Sequence, residues 1–365
     1  MTHVLRAASQ DDLPAIYEMA KSTGGGFTNL PADRPKLKDK LDSAAASFAR
    51  QSDDLVSDMY MFVLEDLDTG KVRGTCQIFS CIGTDRPHYS YRIDAFTHYS
   101  SEFSRAIRSE MLTLVTDHNG SSEVGGLFLH PTERSAGAGS LLARSRYLFM
   151  AMHRARFADR TLAELRGVID EVGVSPFWDG VTGRFFGMSF READEFKAVR
   201  GAQFIADLMP KHPIYTAMVP ESAMAVMGIP HPSGRAAQRM LEKEGFAYRN
   251  YIDVFDGGPT MVCATDEIAT IRYAQQDIIV AVEENDGTES LVAHGRLDHF
   301  RAAYGRIKPT EGGIVIDPAA AAGHSGLTGA DDHAYCALDP SSLRASSSSQ
   351  SRSRAKCGIC NFALG

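Results

Sequence analysis

Arg134-x-x-Gly137-x-Gly139 sets one cation and two glycines at the spacing of a turn that cradles an anion. The glycines remove Cβ atoms where backbone N–H groups must approach a ligand. Val124 to Leu129 reads as a short strand before the turn, and Leu141, Leu142, Tyr147, Leu148 and Met152 keep helical spacing after it. A helix starting there aims its partial positive end at the same point, which suits a pyrophosphate. The turn lacks the Lys-Ser/Thr of a nucleotide P-loop, and no acidic residue in a strand–helix–strand frame marks a ribose. Mononucleotide and dinucleotide readings therefore fall behind.

The elements around this turn predict an α+β protein. Val4-Leu5-Arg6 reads as a strand, and Ser9 caps a helix carrying Leu13, Ile16 and Met19. Gly24-Gly25-Gly26-Phe27-Thr28-Asn29 ends it, as an ordinary loop or as one that closes over a substrate. Residues 59 to 65 and 72 to 79 read as strands joined at Asp68-Thr69-Gly70, and Tyr89 to Phe96 and Leu162 to Ile169 as two more. Gly234 to Phe255 is a helix passing straight into a strand, a pairing that residues 176 to 190 already supply once. The expectation is two tandem copies, residues 1–200 and 201–270, of which only the first carries the glycine turn, with the site in the cleft between them. Ile278 to Val280, Ser290 to Val292 and Gly313 to Ile316 predict a small strand-rich appendix over 271–322.

Composition narrows the function. The 365 residues are 44% hydrophobic and 23% charged, ordinary for a globular protein, and the net charge of -8 argues against a nucleic-acid surface. There is no basic n-region followed by an apolar run at the start, nor a stretch near the length that spans a bilayer, so a cytoplasmic location without membrane contact is expected. The six cysteines are scattered, which suits reduced thiols, and Cys357-x-x-Cys360 has no second pair or nearby histidine to make a metal site.

Strand, Arg-x-x-Gly-x-Gly and helix together resemble the acyl-CoA loop of the GNAT superfamily of N-acetyltransferases. More specifically, Lys21 to Gly26, ELRGVIDE (Glu164 to Glu171), SPFWD, RFFGM, FIADLMPKHPIY (Phe204 to Tyr215), EKEGF and YIDVFDGGP (Tyr251 to Pro259) resemble the arginine N-succinyltransferase family, over residues 1 to about 320. The resemblance implies two tandem acetyltransferase-like domains. It also implies transfer of a succinyl group from succinyl-CoA to the α-amino group of L-arginine, the opening step of an arginine-degrading pathway. Succinyl-CoA is then a co-substrate, and no cofactor is held permanently. Some members form complexes of two similar subunits and accept ornithine, so a homo-oligomer or a complex with a similar subunit is expected, and a weakly active CoA-binding subunit is the rival reading.

Such a transfer needs a neutral amine, donors for the thioester oxygen and a proton for the departing thiolate. The tyrosine that supplies this proton in many acetyltransferases is absent: the corresponding helices offer Phe177 and Trp178, or Met240 and Leu241. The resemblance implies His231, between Pro230 and Pro232, in its place, while His212 is left to packing. It likewise implies succinyl-CoA contact at Leu127, through backbone groups, and Arg134, Gly137, Ala138, Gly139 and Ser140 around the pyrophosphate. The free carboxylate of the succinyl group calls for an arginine, and Arg92, Arg166 and Arg184 all stand open. Glu164, Asp170 and Glu171 are candidates to face the acceptor's guanidinium, whereas Asp256 reads as a turn residue.

Gly312 to Ala322 keeps the family pattern and the rest does not. From Ser341 on the chain is Ser-rich and carries Arg344, Arg352, Arg354 and Lys356 without an acid. Residues 323–365 are thus expected to be a disordered tail, as a shifted reading frame or an altered 3′ end would leave, with a terminal strand lost or replaced.

Overall fold

The computed structural model describes residues 3–22, 29–133, 137–193, 196, 203–323 and 332–338. The glycine run at 24–26, Arg134, Cys357 and Cys360 lie outside them. No described helix is long and apolar enough to cross a membrane, and no described group of His, Cys, Asp and Glu is arranged to hold a metal.

Ser9 and Asp12 close a capping box at the start of α1 (Leu13–Ser22), and Asp33 caps α2 (Arg34–Ala49) through the Lys36 N–H. Both follow β1 (His3–Ala7), and β2 (Met59–Asp66) and β3 (Lys71–Phe79) form the expected hairpin. After β4 (Ser90–Ser100) and β5 (Arg105–Val115) comes β6 (Ser122–Leu129), and α3 (Ala138–Met152) leads to β7 (Arg160–Glu164). The short helix α4 (Pro176–Gly180) follows, capped by Ser175. Later strands are β8 (Ile214–Tyr215), β9 (Ala247–Asp253), β10 (Pro259–Ala264), β11 (Gln275–Val282), β12 (Thr288–His294), β13 (Arg301–Thr310), β14 (Gly313–Ile316) and β15 (Asp332–Leu338).

The fifteen strands among the described residues belong to one sheet, in the order β12-β15-β11-β14-β13-β1-β2-β3-β6-β7-β10-β9-β4-β5-β8. The strands of residues 201–270 continue the sheet of residues 1–200, because β10 pairs with β7, β9 with β4 and β8 with β5. The expected boundary at residue 200 therefore runs through shared hydrogen bonds. Phe149 on α3 seats the helix, its ring centroid 5.0 Å from those of Tyr60 and Phe62 and 5.1 Å from that of Phe300.

The appendix is a closed unit. β13 pairs back to β12, so β12, β15, β11, β14 and β13 complete a ring around Ile279, Val292, Ile307, Ile314 and Ile316. This corrects the expectation of a disordered tail for Asp332–Leu338, which pairs antiparallel with both β11 and β12. The physical reason is the slot itself: without β15 two strand edges would stand unpaired, and closure removes them. Leu5↔Ala302 and Arg6↔Arg301 join the ring to β1.

Candidate active site

β6 and β7 are parallel neighbours that touch only at Ser122↔Thr161 and Glu123↔Leu162. Beyond these pairs β6 stays with β3 and β7 stays with β10, so a gap opens between them toward the glycine turn. In the gap β6 carries a bulge: Thr75 pairs with Phe128 but Gln77 pairs with Gly125, which leaves one extra residue on β6. Gly126 takes φ +57 there, and a Cβ on it would lie 2.7 Å from Cδ of Gln77, so both backbone shape and space require glycine. Leu127 stands at this bulge, its side chain partly buried against the core and its backbone at the point where the ladder is interrupted.

The turn beyond β6 is fastened at its base by buried Glu133, which lies 3.3 Å from Nε2 of His3 and 3.6 Å from Nε of Arg73. Gly137 caps α3 at φ +81, and Ala138, Gly139 and Ser140 form the first turn. Their N–H groups have no helical acceptor and are the ones a phosphate would meet. Ser140 is held from the appendix: the Tyr304 hydroxyl donates to its Oγ at 3.0 Å. Sequence reasoning missed Tyr304 because β13 is remote from the loop in the chain.

The strand expected over Leu162 to Ile169 ends as β7 at Glu164, because the chain there exchanges partners. Leu165 still donates to the Pro259 carbonyl of β10 at 3.1 Å, and the Arg166 carbonyl accepts the His231 N–H at 2.7 Å. Alternation along an extended backbone turns that carbonyl away from β10, which brings the His231 loop to the side where β7 has left β6. Gly167 bridges to Pro230, and the Gly228 N–H donates to the Gly257 carbonyl at 2.8 Å. Three distant segments meet here backbone to backbone. A Cβ on Gly258 would lie 2.0 Å from the Leu165 carbonyl oxygen. Asp256 is a turn residue as expected, accepting the Gly258 N–H at 2.8 Å.

His231 is half-buried, with Nδ1 2.7 Å from the Ser233 hydroxyl and 3.3 Å from the Ser233 N–H. The Ser233 hydroxyl and N–H both engage Nδ1, the N–H as donor, so Nε2 is the ring nitrogen left to meet a ligand. Burial, and then the charge of Arg166, hold the His231 pKa below its ordinary value of 6.5. His212 is exposed.

The remaining predicted residues separate. Arg92 is committed to Asp94 and Asp117, each at 2.7 Å. Arg184 is exposed, and Arg166 is half-buried beside the His231 loop. Asp170 caps its own turn, its Oδ1 accepting the N–H groups of Val172 and Val174, and Glu171 is exposed. Glu164 accepts His88 at 3.0 Å. Burial pulls His88 down, but the charge and hydrogen bond of Glu164, with Glu123 and Asp253, outweigh this and leave its pKa pushed up to about 9. His88 was not predicted. Nothing local in PHYSY distinguishes it, since its partner is 76 positions away.

The chain has relatives among known proteins. Residues 3–270 match the family model described as arginine N-succinyltransferase beta subunit, and residues 274–322 match that of its C-terminal domain. The chain is 43% identical over 318 residues to arginine N-succinyltransferase from Citrobacter koseri, covering 87% of this chain and 92% of that one. Against the same enzyme of Salmonella schwarzengrund it is 43% identical over 323 residues, with the same coverage. The solved arginine/ornithine succinyltransferase subunit AI from Pseudomonas aeruginosa superposes with a TM-score of 0.83 at 32% identity, covering 92% of this chain and 98% of that one. Since the first model spans well over half of the sequence, the chain belongs to the arginine N-succinyltransferase family.

Proposed function

We propose that this protein transfers the succinyl group of succinyl-CoA to the α-amino group of L-arginine, by direct attack of the amine on the thioester in a ternary complex. The observation that carries this reading is the gap between β6 and β7, which has the glycine-capped start of α3 at one end and the His231 loop against the other strand. The first turn of α3 takes the pyrophosphate with Arg134, and the pantetheine arm pairs with backbone groups of β6 at Leu127. The bulge at Gly126 supplies main-chain polarity for the thioester oxygen as charge develops. His231 delivers the proton to the departing thiolate from Nε2. Glu164, held by His88, offers a carboxylate to the acceptor's guanidinium. The chain acts in the cytoplasm, either as a homo-oligomer or with a similar subunit, and its nearest rival acceptor is ornithine.

The test is incubation of the purified chain with succinyl-CoA and L-arginine, with mass analysis of the amine product. Parallel reactions replace arginine with ornithine and succinyl-CoA with acetyl-CoA. N2-succinyl-arginine formed fastest of these pairs is expected. CoA binding without product from any pair would instead favour the CoA-binding subunit.

A further inference from the structure

Of the three arginines open for the acyl carboxylate, the structure distinguishes one. The Arg92 guanidinium is already shared between Asp94 and Asp117. Arg184 is exposed on the single turn Thr182–Phe185. Arg166 has its Nε enclosed by protein without a hydrogen-bond partner, and no carboxylate pairs with it, among the described residues. Only Nε is enclosed in this way, and the half-buried guanidinium keeps its terminal nitrogens, so a charged group with an unmet buried donor is explained best by an anion that arrives with the substrate.

Position points the same way. A succinyl thioester carries its carboxylate carbon about 4 Å from the reacting carbonyl carbon when the chain is extended. A cation that recognises it must therefore sit next to the group that serves the thioester. Arg166 and His231 are joined by the 2.7 Å backbone hydrogen bond, and the two side chains are close enough for the arginine's charge to act on the imidazole. We propose that Arg166 receives the free carboxylate of the acyl donor, making the site selective for acyl chains that end in a carboxylate. The inference rests on the acyl-transfer reading above and assigns the donor specificity of that same site. Docking of the carboxylate also offsets a positive charge beside His231, so the correct acyl chain favours the protonated state of the group that must give up a proton. Selectivity is therefore expected in kcat as well as in KM.

The experiment uses the full chain and compares succinyl-CoA with butyryl-CoA, which has the same chain length and no charge. Binding of each donor is measured by calorimetry, and turnover with L-arginine by thiol release, for the native protein, Arg166→Met and Arg166→Lys. The native protein is expected to bind succinyl-CoA at least about tenfold more tightly than butyryl-CoA. In Arg166→Met that ratio should fall to near one, with kcat/KM for succinyl-CoA down by about 10²-fold and that for butyryl-CoA within about threefold. Arg166→Lys should restore part of the preference. Free CoA should bind all three proteins alike, which reports on their folding. Equal losses for both donors, or a native binding ratio near one, would overturn the assignment. A native protein that binds succinyl-CoA preferentially but transfers neither acyl group would refute the acyl-transfer reading and leave the binding ratio to decide Arg166.

Discussion

The two sides of the β6–β7 gap are built in different ways. The donor side comes from one stretch of the chain, β6 and then α3, and on the proposed reading it meets the ligand mostly through backbone groups. The acid side is assembled from three segments, around Arg166, His231 and Gly257, that are far apart in the chain and meet through main-chain hydrogen bonds. On the proposed roles, donor binding depends on local geometry, and proton delivery depends on long-range packing. Substitutions should separate the two.

The largest effect is expected from Gly258→Ala. Its Cβ would lie 2.0 Å from the Leu165 carbonyl oxygen and 2.6 Å from the Gly167 nitrogen, neither of which can move without breaking the convergence. Destabilisation of about 3 kcal/mol is expected in urea melts. Gly137→Ala on the donor side meets nothing within 4 Å and is opposed only by φ +81, so about 1 kcal/mol is expected. Equal costs at the two positions would remove the distinction.

A smaller effect should follow from Tyr304→Phe, which deletes the hydroxyl that holds Ser140 at the start of α3. KM for the acyl-CoA should rise about threefold to tenfold, the equivalent of one hydrogen bond, with kcat unchanged. A fall in kcat alone would mean that the appendix acts on the acid side instead. The smallest effect concerns His88. Its pKa in the folded protein is about 9 against an ordinary 6.5, so its stabilising contribution is complete below about pH 6.5 and is lost as pH rises through 9. Thermal melts of His88→Gln and the native protein should therefore differ most near pH 6 and converge above pH 9. A difference that grows with pH would reverse the assigned sign.

The same contrast explains what the sequence made legible. Arg134-x-x-Gly137-x-Gly139 and the apolar spacing of α3 are local, and helix and strand followed as expected. α2 also carries a local signal that the sequence reading leaves unused: Asp33 as cap, Pro35 in the first turn, and Leu37, Leu41, Ala44 and Phe48 on one face. β5 is harder to see, because its half of the β4–β5 ribbon is largely exposed and lacks the alternation of a strand with one buried face. The bulge at Gly126, the ion pair of Glu164 with His88 and the contact of Tyr304 with Ser140 each depend on a partner that only the fold supplies. β15 illustrates the point in reverse, since the slot between β11 and β12 recruits a strand that composition did not suggest.

That proton delivery and donor binding are separable is tested most directly by His231→Ala, with kcat and CoA affinity measured on the same preparation. A fall in kcat of about 10²- to 10⁴-fold is expected, with CoA affinity within about twofold of the native protein. An unchanged kcat would contradict the role given to His231, and a parallel loss of CoA affinity would contradict the division of the site into two independently built sides.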